Sequence, residues 1–188
     1  MLEILKSVDI KSWIGLAGVL LGALLGLIGV FFANKSNLSR LQLQLENERQ
    51  RHHSQVKREK LEELYVLVSH WLNDFFSHYF KLTLVMRGEI DYNQYLDEII
   101  SDGKDAKTDF QRIEMILHIY GRELLPTYNK VLEWRAKVNE ISSEHKADYK
   151  KGKVNGEKYL EPYTVVHTKL KNAIEELKNE IADLATNA

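Results

Sequence analysis

The sequence predicts an all-α protein with a single N-terminal transmembrane helix, a helical stalk and a four- or five-helix cytoplasmic bundle. Three observations predict it. Residues 13–33 are 21 consecutive uncharged and mostly apolar positions, which as a helix span about 31 Å, the thickness of a bilayer's hydrocarbon core. Residues 34–87 contain no Gly or Pro, so nothing local forbids a long helix there. Beyond them apolar residues recur at intervals of three and four, and no stretch keeps the two-residue alternation of strands between hairpin turns. The expected organisation is a short non-cytoplasmic tail (1–12), the transmembrane helix (13–33), a polar helical stalk (34–60) and the bundle (61–188).

The apolar run carries a pattern of its own. At 100° per residue Gly15, Gly18, Gly22, Gly26 and Gly29 fall within an arc of about 80°, and Leu, Ile, Val and Phe fill the rest. Gly18, Gly22 and Gly26 overlap as GxxxGxxxG, a spacing that lets backbones approach closely where lipid gives helices no hydrophobic reason to associate. Self-association in the membrane is the expectation, with the membrane and a second copy as partners. A cleaved signal sequence has a shorter apolar region, about 7 to 15 residues, and a small-x-small exit. Here the best exit, after Ala33, has Phe31 three positions back. Trp13 at one end, with Phe31 and Phe32 at the other, stand where interfacial aromatics belong.

Flanking charge sets the orientation. Lys6 and Lys11 precede the span, while Lys35, Arg40, Arg49 and Arg51 follow it closely. Positive charge near the ends favours the cytoplasm, so the C-terminal part is expected there. Those four cations are also the candidates for contact with anionic lipid headgroups, each worth roughly 1 kcal/mol at the surface.

The stalk and bundle follow in order. Residues 34–37 (Asn-Lys-Ser-Asn) are the one plausible break after the span. Leu38, Leu41 and Leu45 start a seam that runs into Glu48 and His52, which suits a polar stalk better than a coiled coil. Leu61, Leu64, Val68, Trp71, Leu72, Phe75, Tyr79, Leu82 and Met86 form the stripe of a first bundle helix, ended by Gly88. Asp91 with Gln94 is a capping pattern for a short helix to about residue 101, and Asp102-Gly103 is a turn. An amphipathic segment from Phe110 reaches Gly121, placed as a C-cap glycine. Pro126 starts or kinks the next helix, a polar loop is expected over 143–158, and a last helix after Pro162 shows a heptad of His167, Ile174 and Ile181 beside Leu170, Leu177 and Leu184. That column is expected to close the bundle.

Chemistry is sparse. With no cysteine there are no disulfides or thiolate sites, and a net charge of −1 gives no field for nucleic acid, which is not an expected partner. His70, Asp74 and His78 recur every four residues, a spacing that can bind a divalent ion. Their neighbours Asn73, Ser77 and Lys81 make this a solvated helix face, and no metal or other cofactor is expected. Arg112 and His118 have the loose spacing of an acid–base pair used by small helical ribonucleases. A pair so loosely defined arises by chance in a chain with this many Arg and His residues. The function expected is a non-enzymatic, membrane-anchored protein that self-associates and presents its bundle to a cytoplasmic protein. A membrane-permeabilising effector is the alternative, and a nuclease ranks below both.

Overall fold

The computed structural model describes residues 10–102 and 109–188. It contains five α-helices among these: α1 (Ile10–Met86), α2 (Tyr92–Asp102), α3 (Phe110–Tyr120), α4 (Leu125–Lys150) and α5 (Glu157–Thr186), with a 3-10 turn at Arg122–Leu124. The described residues contain no strand, as the periodicity predicts. The chain divides into two compact units, residues 1–53 and 54–188.

The first unit is the N-terminal part of α1, and every residue from 12 to 53 is exposed. Residues 34–37 do not break the helix. Their side chains are polar but not helix-forbidding, and with neither Gly nor Pro the i to i+4 hydrogen bonds run on. Leu38, Leu41 and Leu45 stand at 59%, 52% and 47% exposure, so their seam is not buried among the described residues.

The second unit is a helical bundle. Its core takes Leu61, Leu64, Val68 and Trp71 from α1, Ile113, Ile116 and Leu117 from α3, Tyr128, Val131 and Val138 from α4, and Leu170, Ile174, Leu177 and Ile181 from α5. The heptad column of α5 therefore faces inward, with Leu184 at its half-buried end. Short α2 adds Tyr92 and Tyr95 to the edge of this core. Ion pairs tie the helices along their rims: Glu63 with Arg112 between α1 and α3, and Lys130 with Glu176 between α4 and α5.

The helix ends follow local chemistry. α1 stops where Gly88 takes φ +73. There Gly88 N–H donates to Val85 O at 3.0 Å and Glu89 N–H to Leu84 O at 2.9 Å, a Schellman closure. At α2 the expected capping box forms: Asp91 Oδ1 accepts from Gln94 N at 2.9 Å, and Gln94 Oε1 accepts from Asp91 N at 3.1 Å. The Asp102-Gly103 turn lies at the edge of the described residues, Gly103 outside them. Gly121 does follow α3, but at φ −135, outside the left-handed region. The site is close-packed rather than left-handed: a Cβ there would meet Leu124 Cδ1 at 2.9 Å, so that side chain would have to shift. Pro126 starts α4 rather than kinking it.

The polar loop expected over residues 143–158 is corrected by the structure. α4 continues to Lys150 and α5 already begins at Glu157, leaving a turn of 151–156. α4 can continue because His145 is fully buried and Tyr149 packs on the core. It stops at Gly152, φ +85, again with a Schellman pair: Gly152 N to Tyr149 O at 2.9 Å and Lys153 N to Asp148 O at 3.1 Å. α5 likewise starts before Pro162, which lies inside it. Asn155 Oδ1 accepts from Glu157 N at 2.9 Å and so sets the start instead.

Candidate functional site

Two features of the molecule stand apart from packing: the bare apolar helix of the first unit and a mixed aromatic and polar cleft in the second.

The helix is long and apolar enough to cross a membrane. Its most apolar window has mean hydropathy 2.5, and none of that window is buried inside the protein. Trp13 is 45% exposed and Phe31 66%. At each of Gly15, Gly18, Gly22, Gly26 and Gly29 an added Cβ would meet nothing within 4 Å. Among the described residues no close approach accounts for those glycines. Lys35, Arg40, Arg49 and Arg51 are exposed on the same helix.

The cleft, of about 710 Å³, opens among α1, α2, α3, α4 and α5 of the bundle. Its floor is Leu82, Val138 and Tyr163, all buried, and burial pushes the Tyr163 phenol above its ordinary range. Trp71 and Phe110 form an aromatic wall, their rings 5.3 Å apart edge to face. Arg135 of α4 lies over both, its guanidinium carbon 4.8 Å from the Phe110 centroid and 5.8 Å from that of Trp71. Tyr95, Asn139 and Ser142 continue the lining into an adjoining groove of about 470 Å³ that reaches Lys146. Asp109, at the cleft's edge, is committed to α3, whose Arg112 N–H it accepts at 2.9 Å.

The sequence-derived candidates separate here. Asp74 and His78 line the cleft, whereas His70 is exposed and does not. Among the described residues no group of three His, Cys, Asp or Glu is arranged to hold a metal ion. Arg112 and His118 do not meet in a site. Arg112 makes a two-pronged pair with Glu63, Nη2 to Oε2 at 2.9 Å, and His118 is exposed on α3 and lines none of the clefts described. Hydrogen bonds from Arg112 and then Lys60 hold the Glu63 carboxyl down at about 2, so the pair is ionised and spoken for at neutral pH.

The chain matches no protein-family model, and no curated protein or solved structure is similar to it at a significant level. Its residues carry the functional argument alone.

Sequence reasoning missed Arg135, and a signal for it existed. Tyr128, Val131, Arg135, Val138, Ser142, His145 and Tyr149 recur at alternating intervals of three and four along α4, so a guanidinium, a hydroxyl and an imidazole occupy seam positions otherwise given to core residues. Polar groups at core positions are where a bundle departs from pure packing. His145 is the deepest of them: its Nδ1 lies 3.3 Å from the Tyr92 hydroxyl, its Nε2 has no hydrogen-bond partner among the described residues, and burial lowers its pKa.

Proposed function

We propose that this is a non-enzymatic, single-pass membrane protein whose residues 13–33 cross the bilayer, whose glycine face pairs copies of the chain there, and whose C-terminal bundle meets a protein partner in the cytoplasm. The observation that carries the reading is the complete exposure of the apolar window. A core helix of a soluble protein passes the same length and composition test but is covered by its own chain, and this one is not. Twelve Leu, Ile, Val and Phe residues within 13–33 are each favoured at the centre of a bilayer by roughly 0.3–0.6 kcal/mol. Left in water, the same surface would drive aggregation. The uninterrupted helix through residues 34–60 also argues against a cleaved leader, which needs an accessible exit after its apolar core.

Self-association is supported by the five glycines that share one side of the helix and have no neighbour within 4 Å of an added Cβ among the described residues. A single glycine face suits a dimer, whereas a closed ring needs two contacting surfaces on each helix. The cytoplasmic placement of the bundle rests on Lys35, Arg40, Arg49 and Arg51 against Lys6 and Lys11.

The test is Gly22→Leu in the full-length protein, with cross-linking in native membranes and mass measurement in detergent. Wild type is expected to form a discrete small oligomer and the variant to run as a monomer, since a leucine side chain holds the backbones apart. An oligomer of unchanged size in the variant would remove the glycine interface. A wild-type assembly of six or more copies, together with collapse of membrane potential on expression, would replace the scaffold with a permeabilising effector.

A further inference from the structure

We infer that the bundle cleft is a binding site for a small aromatic carboxylate, with Arg135 taking the carboxylate and the Trp71, Phe75 and Phe110 side of the cleft taking the ring. The site goes beyond membrane anchoring and does not depend on it.

A guanidinium carries five N–H donors in a planar fork and no acceptor. That of Arg135 is held by two aromatic faces, at 4.8 and 5.8 Å, and among the described residues no carboxylate or carbonyl takes its donors. Four other cations of the bundle are paired with carboxylates, Arg112 with Glu63, Lys57 with Glu123, Lys130 with Glu176 and Lys158 with Asp148, while Lys137, Lys169 and Lys171 lie over aromatic rings outside the cleft lining. Arg135 is thus a cation fixed in position at a cleft with its directional donors unspent. Its fork matches a carboxylate in two-pronged geometry. Among the described residues no ion pair joins Arg135 to either acidic group of the lining; Asp109 accepts from the α3 N-terminus, and Asp74 has an interaction of its own.

The shape of the cleft fits the ligand's body. A space of about 710 Å³ falls within the roughly 300–1,000 Å³ of small-molecule sites. Its lining pairs flat rings with a few polar groups, Asn139 and Ser142 among them, the mixture that binds a planar apolar body and fixes its orientation. Purely apolar ligands would leave the Arg135 donors unmet.

The experiment uses full-length protein in phosphatidylcholine nanodiscs and isothermal titration with naphthoate, against naphthylmethanol as its neutral counterpart. Wild type is expected to bind naphthoate about tenfold more tightly than naphthylmethanol, the scale of one charged hydrogen-bonded contact. Arg135→Gln should erase that preference, while Lys137→Met, which removes a cation outside the cleft lining, should keep it. Asn139→Trp, at an exposed position of α4 on the cleft wall, should block both probes, and it carries the test if Arg135→Gln does not fold. Equal affinity for the two probes in wild type, no measurable binding, or naphthoate binding unchanged in Asn139→Trp would each overturn the proposal.

Discussion

Gly156 and Gly88 show why one residue type can be required for opposite reasons. Gly88 has open space around it and is needed for its φ of +73, whereas Gly156 has a φ of −102 and is needed for room. A Cβ on Gly156 would lie 2.5 Å from His145 Nε2 and 2.8 Å from Met86 Cα. The ring is locked in a fully buried site and the second contact is main chain, so neither yields cheaply. Gly156→Ala is expected to destabilise the bundle by about 2–3 kcal/mol, against about 1 kcal/mol for Gly88→Ala, read from urea unfolding of the two variants. Equal losses would show that the His145 contact relaxes. His167 supplies the pH prediction. Stacked on Tyr79 at 3.8 Å and set against Phe76, it is held down from 6.5 to about 4 by burial first, then by the charge of Lys171. Because the folded pKa is depressed, the unfolded chain binds a proton below about pH 6.5 that the folded chain refuses until about pH 4. Stability is therefore complete above that window and lost as pH falls through it, by about 3 kcal/mol in all. Comparing wild type with His167→Leu isolates this loss from carboxylate titration, and parallel pH profiles would contradict it. Spacing in the sequence reveals that His167 sits in a heptad column; only the structure reveals the rings around it.

At the scale of helices, what was legible in the sequence was whatever local chemistry decides. Gly88, the Asp91–Gln94 box, Pro126 and the α5 heptad all act within a turn or two of themselves, and each lies where its spacing put it. The far end of α4 was not legible in the same way. Lys146, Lys150 and Lys151 make that stretch look solvated, while the groups that hold it helical, buried His145 and half-buried Tyr149, pack on Tyr92 and Tyr159 from other helices. Asp148 adds a clasp across the turn, accepting from Lys158 Nζ at 2.7 Å and from the Tyr159 hydroxyl at 3.1 Å. The cleft was hidden for the same reason, since Asp74 and His78 come from α1 and Arg135 from α4. The α5 column itself can be graded. Leu177 is fully buried and Leu184 half-buried, so Leu177→Ala should cost about 2–5 kcal/mol of unfolding free energy and Leu184→Ala clearly less. Equal costs would mean that the end of α5 is covered in the assembled protein.

For the molecule as a whole, two kinds of helix surface are in play. The bundle buries most of its apolar stripes against each other and carries salt links on its rim. Every residue of 13–33 is exposed among the described residues, and a surface of that length and hydropathy is matched in thickness by a bilayer. The glycine face and the cationic residues that follow it acquire a physical role only if that match is real. Alkaline carbonate extraction of membranes from cells making the full-length protein tests this most directly, because high pH strips proteins held by charge or by partners and leaves those threaded through lipid. The account predicts that the intact chain stays in the membrane pellet after extraction and enters solution only with detergent. Release of the intact chain into the carbonate supernatant would contradict it.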